Sequence, residues 1–377
     1  MTYLDANASE PVRPAARAAV LAALDVAGNP ASVHGAGRAA RRLLETAREQ
    51  VAACFGASAA GVVFTSGGTE ADALAIHGLG AGRRLIIGAT EHDAVRAAVP
   101  MGAGGAAILP VDRDGVADLD ALARLLAPGA QDARPALVCL MLANNETGVL
   151  HPVAAAAALC RAHGARLHVD AVQAAGRVAI DLGALGADSM AISGHKLGGP
   201  QGAGALLLAG DLALAPLLGG GGQERGRRGG TPALPAIAGM AAAAAEAVAA
   251  LGDQDRLAEL RDRIEAAALG AGAGVMGAGV MGPGAGRLGN TTCLALAGVR
   301  ADTQVIALDM AGFQVSAGAA CSSGKVAASH VLAAMGMGAL AGAAVRVSLP
   351  WNVSAEDVLR FAAAYVEMAG RLVRRAA

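Results

Sequence analysis

From about Gly61 to Leu208 the chain alternates short apolar runs with helix-like segments, a pattern that confines it to a mostly parallel sheet with crossover helices. The strand candidates are Val62–Thr65, Arg84–Gly88, Ala107–Val111, Leu137–Leu142, Arg166–Asp170, Ser189–Ser193 and Ala205–Leu208. Their spacing suits right-handed crossovers in one large domain. After the glycine-rich Gly219–Gly222 and an alanine-rich helix near Ala238–Leu251, the pattern changes at the charged run Asp253–Glu265. The 377 residues suffice for two cores. A boundary near Gly252 leaves a large domain of residues 14–252 and a smaller α/β domain built from residues 1–13 and 253–377. Thr291–Leu296 and Ala344–Leu349 are strand candidates of the smaller one.

Hydrophobic residues make up 54% of the chain, but alanine supplies much of this and aromatic residues only 2%. Two stretches without charge over about the span of a bilayer, Ala266–Gly286 and Val326–Val345, are interrupted by glycines and do not resemble leucine-rich spanning helices, so no transmembrane segment is expected. The opening residues, with Asp5 and Glu10 and no basic-then-apolar pattern, do not read as a secretory signal, and the cytoplasm is the expected compartment. With 30 basic and 31 acidic residues, nothing favours sequence-independent attraction to nucleic acid. The five cysteines, Cys54, Cys139, Cys160, Cys293 and Cys321, form no CxxC pair, so neither a metal site nor a disulfide framework is expected. A formal G-x-G-x-x-G at Gly272–Gly277 follows no strand and opens no helix, and there is no P-loop motif.

Three runs at predicted strand ends carry chemistry, because open α/β sheets bind ligands there. Val62 to Glu70 reads as strand, glycine turn and helix, whose first N–H groups suit a phosphate around Gly68 and Thr69, although Thr69 as a plain helix cap fits equally. Leu167 to Gln173 delivers Asp170 at a strand end, where an acid can hold a pyridine nitrogen protonated, the partner that pyridoxal phosphate requires; a capping role is the alternative. Ala191 to Lys196 places a lysine directly after an apolar strand. Desolvating an ammonium is costly unless the amine has a use, while a lysine reaching out to water is the plainer reading.

The runs TSGGTEADALAIHG, EHDAV, ANNETGV, HVDAVQAAG, SGHKLGGPQGAGAL, GGGQERGRRGGT, VSAGAACSSG and VRVSLPWN occur in this order. Together they resemble the cysteine desulfurases of the NifS/IscS type, which are class V aminotransferase members of the fold type I pyridoxal phosphate enzymes. The likeness extends from Tyr3 to beyond Arg346. It implies a large, mostly parallel seven-stranded sheet domain with a smaller α/β domain. It also implies that Lys196 carries pyridoxal 5'-phosphate, that Asp170 pairs with the pyridine nitrogen, and that His92 stacks on the ring with Asn145 and Gln173 near its phenolic oxygen. Gly68, Thr69, Ser193 and His195 would hold the phosphate, and Thr231 would reach the phosphate of a neighbouring subunit, which implies a homodimer. Arg346 falls where the family clamps the substrate carboxylate.

Cys321, in the small-residue run Ser316–Gly324, would take sulfur from L-cysteine as a persulfide, releasing L-alanine and passing the sulfur to an acceptor protein such as an iron–sulfur scaffold. Lys196 would remove the Cα proton, and His92 would manage protons at the sulfur. The sequence departs from the family at Pro350, where glycine is common, and at Asn7-Ala8-Ser9-Glu10, where the usual pattern is Ala-Thr-Thr. Both departures bear on the substrate pocket. A class V aminotransferase or a selenocysteine lyase would use the same cofactor residues, and a silent partner docking through Arg225, Arg227 and Arg228 is the non-enzymatic alternative.

Overall fold

The computed structural model describes residues 1–100, 105–127, 133–279, 286–318 and 328–376. Its centre is a seven-stranded sheet formed by β1 (Val62–Thr65), β2 (Arg84–Gly88), β3 (Ala106–Leu109), β4 (Ala136–Cys139), β5 (Arg166–Asp170), β6 (Ser189–Ser193) and β7 (Gly204–Leu208). The spatial order is β1-β7-β6-β5-β4-β2-β3. Six strands share one direction; β7 runs antiparallel to both its neighbours. The spacing rule of crossovers does not extend to β7. Its link to β6, residues 194–203, is shorter than the roughly dozen residues that a parallel return needs, so the chain folds straight back.

Each strand alternates between two cores because successive side chains leave opposite faces of a sheet. Phe64, Val138, Leu167, Val169, Met190 and Ile192 pack toward one face, against helices Gly35–Cys54 and Leu234–Ala249. Val63, Ile87, Leu137, Cys139, Ala191 and Leu206 pack toward the other, against helix Gly68–Gly80. Helix Leu234–Ala249 is alanine-rich yet mostly buried, so alanine here serves close packing. Among the described residues no single helix is long and apolar enough to cross a membrane, although the bent pair Leu234–Ala249 and Leu251–Gly270 passes by length and composition.

A second core lies against a four-stranded antiparallel sheet, ordered Gly274–Val275, Thr291–Ala295, Ala344–Ser348, Ser316–Ala317. Helices Gln254–Gly270 and Ala355–Ala376 cover it with Leu257, Leu260, Ile264, Phe361 and Tyr365. The N-terminus joins this core. Thr2–Tyr3 pairs parallel with Phe313–Gln314, and Leu4 is fully buried. Phe361 meets Phe313 edge to face at 5.5 Å between ring centroids. In a chain so poor in aromatic residues this contact has few substitutes. Phe361→Ala should lower the free energy of unfolding by about 3–5 kcal/mol in a denaturant titration. A loss below about 1 kcal/mol would mean that the cavity collapses and the ring is not an anchor.

Candidate active site

The sheet brings the carboxyl ends of β1, β5 and β6 around one cavity of about 240 Å³. From the turn after β1 come Gly68 and Thr69, and from the end of β5 come Asp170 and Gln173. Ser193, His195 and Lys196 enter from β6 and the turn after it; His92 and Asn145 come from the loops after β2 and β4. Every one of these residues was singled out in the sequence.

Gly67, not Thr69, is the N-cap of helix Gly68–Gly80, and it supplies no side-chain cap. The first N–H groups of a helix lack intrahelical acceptors, so this end is open to an anion. A Cβ at Gly68 would come within 2.6 Å of Val172 Cγ2, so the close approach of the turn to the β5 end requires glycine. The Ser66 N–H is already taken by Glu70 Oε2 at 2.8 Å, and Glu70 also receives Arg228 Nε at 2.8 Å. Ser193 Oγ is buried with no hydrogen-bond partner among the described residues.

Asp170 is buried, and its Oδ1 accepts from the Val172 N–H at 2.9 Å. Burial, then the nearby Asp72 carboxylate, raises it to about 7. Lys196 Nζ donates to the carbonyls of Asn7 and Ala8. His195 is held neutral by burial and by Lys196, its pKa lowered to about 4. His92 caps its helix by accepting the Ala94 N–H at Nδ1, so the neutral ring carries its proton on Nε2. Gln173 donates to Asn7 O at 3.0 Å and accepts from Arg177 at 2.5 Å, which fixes its amide orientation.

Three residues stand apart. Arg346, on the strand Ala344–Ser348, does not line the cavity but reaches its rim: it donates to Asn145 O at 3.2 Å and pairs with Asp5 at 2.7 Å, while its Nε is buried without a partner among the described residues. Thr231 is exposed and lies in a separate cavity of about 90 Å³ beside Ser66 and Arg228, outside its own chain's site. The loop before it turns through Glu224 and Arg225, both non-glycine residues at positive φ. Glu224 is fixed there by Arg48 at 2.7 and 2.9 Å and by the Phe64 N–H at 2.9 Å. Cys321 lies outside the described residues.

Sequence reasoning missed Asp72, Asn7 and Glu146. Asp72 lies four residues after Gly68 on the same helix face, a spacing that sets it beside the cavity but does not disclose its contact with His168. Asn7 falls in the segment noted as unusual. Its side chain donates to Asn145 O and Thr291 Oγ1, so the departure forms part of the cavity's framework. Glu146 accepts the Ser329 hydroxyl at 2.6 Å.

The donor set fits pyridoxal phosphate. An open helix end, a glycine that admits close approach and an orphaned buried hydroxyl suit a phosphate, an acid suits a pyridine nitrogen, and an amine suits an aldehyde. Residues 2–361 match the family model described as aminotransferase class-V, and the chain belongs to this family. It is 42% identical to a cysteine desulfurase of Cereibacter sphaeroides, over 94% of this chain and 92% of the relative. It is 39% identical to an IscS-like cysteine desulfurase of Mycobacterium tuberculosis, over 95% and 93%. The solved structure of a NifS-like protein from Rickettsia africae superimposes with a TM-score of 0.88 at 32% identity, covering 98% of this chain and 99% of that one.

Glu146 offers a test of the site's electrostatics. Burial raises its carboxyl to about 7, against the Ser329 hydrogen bond and Arg346. A group raised in the folded state favours folding while protonated, and that contribution fades as pH climbs from its unfolded value through 7. Glu146→Gln stays neutral throughout. The apoprotein variant should therefore gain stability over wild type progressively between about pH 4.5 and 7, by roughly 3 kcal/mol, and no further above. A difference independent of pH would show that Glu146 is not a buried titrating acid.

Proposed function

We propose that this protein is a pyridoxal-phosphate-dependent cysteine desulfurase that converts L-cysteine to L-alanine and leaves the sulfur as a persulfide on Cys321. The observation that carries the reading is the convergence of the Lys196 amine, the Asp170 carboxyl and an open helix end on one cavity. The long relatedness to cysteine desulfurases supports the same reading.

Bound pyridoxal phosphate supplies an electron sink for the pair released when the substrate Cα–H bond breaks. Gly68, Thr69, Ser193 and His195 would hold its phosphate. Asp170 would keep a proton on the pyridine nitrogen, and its burial strengthens that pairing. Lys196 would carry the cofactor and then take the Cα proton. His92 would lie against the ring, with Asn145 and Gln173 near the phenolic oxygen. Arg346 would receive the substrate carboxylate, and its Nε, which has no partner among the described residues, supports that task.

Cys321 would attack the substrate sulfur. The cysteine Cβ–S bond breaks, an S–S bond forms on Cys321, and the electron pair left on carbon takes a proton to give alanine. The balance is cysteine plus enzyme thiol giving alanine plus enzyme persulfide, without an external oxidant. The persulfide would pass to an acceptor protein such as an iron–sulfur scaffold in the cytoplasm. The exposed position of Thr231 supports a homodimer in which it serves the partner subunit's phosphate.

Two substitutions separate cofactor binding from sulfur chemistry. Lys196→Ala should abolish the visible absorption of the purified protein. Cys321→Ala should keep the colour and lose sulfide release from cysteine. Wild-type desulfuration by Cys321→Ala would overturn the persulfide step, and a wild type that takes up no pyridoxal phosphate would overturn the whole reading.

A further inference from the structure

Behind Asp170 runs a buried polar chain that the proposed reaction does not use. His168, two residues earlier on β5 and on the same face, is fully buried; its Nε2 lies 3.1 Å from Asp72 Oδ1 and its Nδ1 lies 2.9 Å from Ser189 Oγ. Acid, imidazole and hydroxyl suggest a nucleophile relay, but the order excludes one. Ser189 is fully buried and is not among the residues lining the cavity, whereas Asp72 is. The end of the chain that meets the ligand is therefore a carboxylate.

Asp72 occupies the buried face of helix Gly68–Gly80 among Ala71, Leu74 and Ala75, where packing alone asks for an apolar side chain. A buried acid costs stability unless a partner or a ligand compensates. A neutral imidazole compensates only in part, and burial keeps His168 neutral, its pKa lowered to about 4. Burial raises Asp72 to about 8, and Asp72 in turn raises Asp170. Two carboxyl groups thus share one pocket wall, each disfavouring ionisation of the other. A cation between them would relieve both. The proposed reading brings one, the protonated pyridine ring.

We propose that Asp72, oriented by His168 and Ser189, is a second acid of the cofactor site whose negative charge adds to that of Asp170 in holding the pyridoxal phosphate ring protonated. The inference rests on the proposed cofactor. Asp72 acts through the field and is a positioning residue, not a catalytic one. The titratable groups facing it are His168 and Asp170 on β5, Glu91 and His92 after β2, Cys139 on β4, and Lys196 across the cavity.

The test titrates apoprotein with pyridoxal phosphate, for wild type, Asp72→Asn, Asp72→Ser and Asp170→Asn. It also follows the bound cofactor's visible band against pH. Losing one nearby anion should weaken binding about tenfold in both Asp72 variants and lower the pH midpoint of the band by about one unit. Asp170→Asn should do more. Thermal melting of the apoproteins separates this from misfolding, since removing a buried acid should leave the fold intact or firmer. Binding within twofold of wild type with an unmoved midpoint in both Asp72 variants would overturn the proposal. If wild type binds no pyridoxal phosphate at all, the cofactor reading itself fails, which is a different result.

Discussion

The parallel pairing of β5 with β6 sets His168 opposite Ser189 and Asp170 opposite Ala191. Side chains alternate strictly along a strand, so this one register decides which groups share a face. It places His168, Asp170, Ser189 and Ser193 on the side covered by helix Gly68–Gly80, while Val169, Met190 and Ile192 go to the opposite core. A slip of one residue would bury the acid among leucines and expose the apolar row to the cavity. The chemistry of the site is therefore enforced by the packing of both faces at once.

Much of this was legible in the sequence. Strand runs bounded by glycine gave β1, β2, β5 and β6 to the residue, since apolar runs ending in polar residues mark where a buried strand must surface. Pro110 cut short the strand anticipated to Val111, and β4 ends at Cys139, although Leu140 and Leu142 still donate to β5 carbonyls. The reversal of β7 was encoded in a short link, but a local pattern does not tell strand direction. The residues that line the cavity were found because motifs sit at strand ends.

Asn7, Asp72 and Glu146 were missed for a different reason. Each acts by contact with residues far away in sequence: Asn7 with Thr291, Asp72 with His168, Glu146 with Ser329. No window of adjacent residues contains such a pair. The strained Glu224–Arg225 turn belongs to the same class, because Arg48, the Phe64 N–H and the Ala60 carbonyl, far back along the chain, hold it in place.

The tether on Lys196 has an evolutionary implication. The amine rests on two main-chain oxygens, those of Asn7 and Ala8, and every amino acid supplies such an oxygen. Ala8 can thus exchange its side chain while the lysine keeps its resting place, whereas Asn7 and Glu10 are held by side-chain bonds to Thr291 and Arg177. A scan of single substitutions at Ala8 would therefore pass over what its backbone does for the amine.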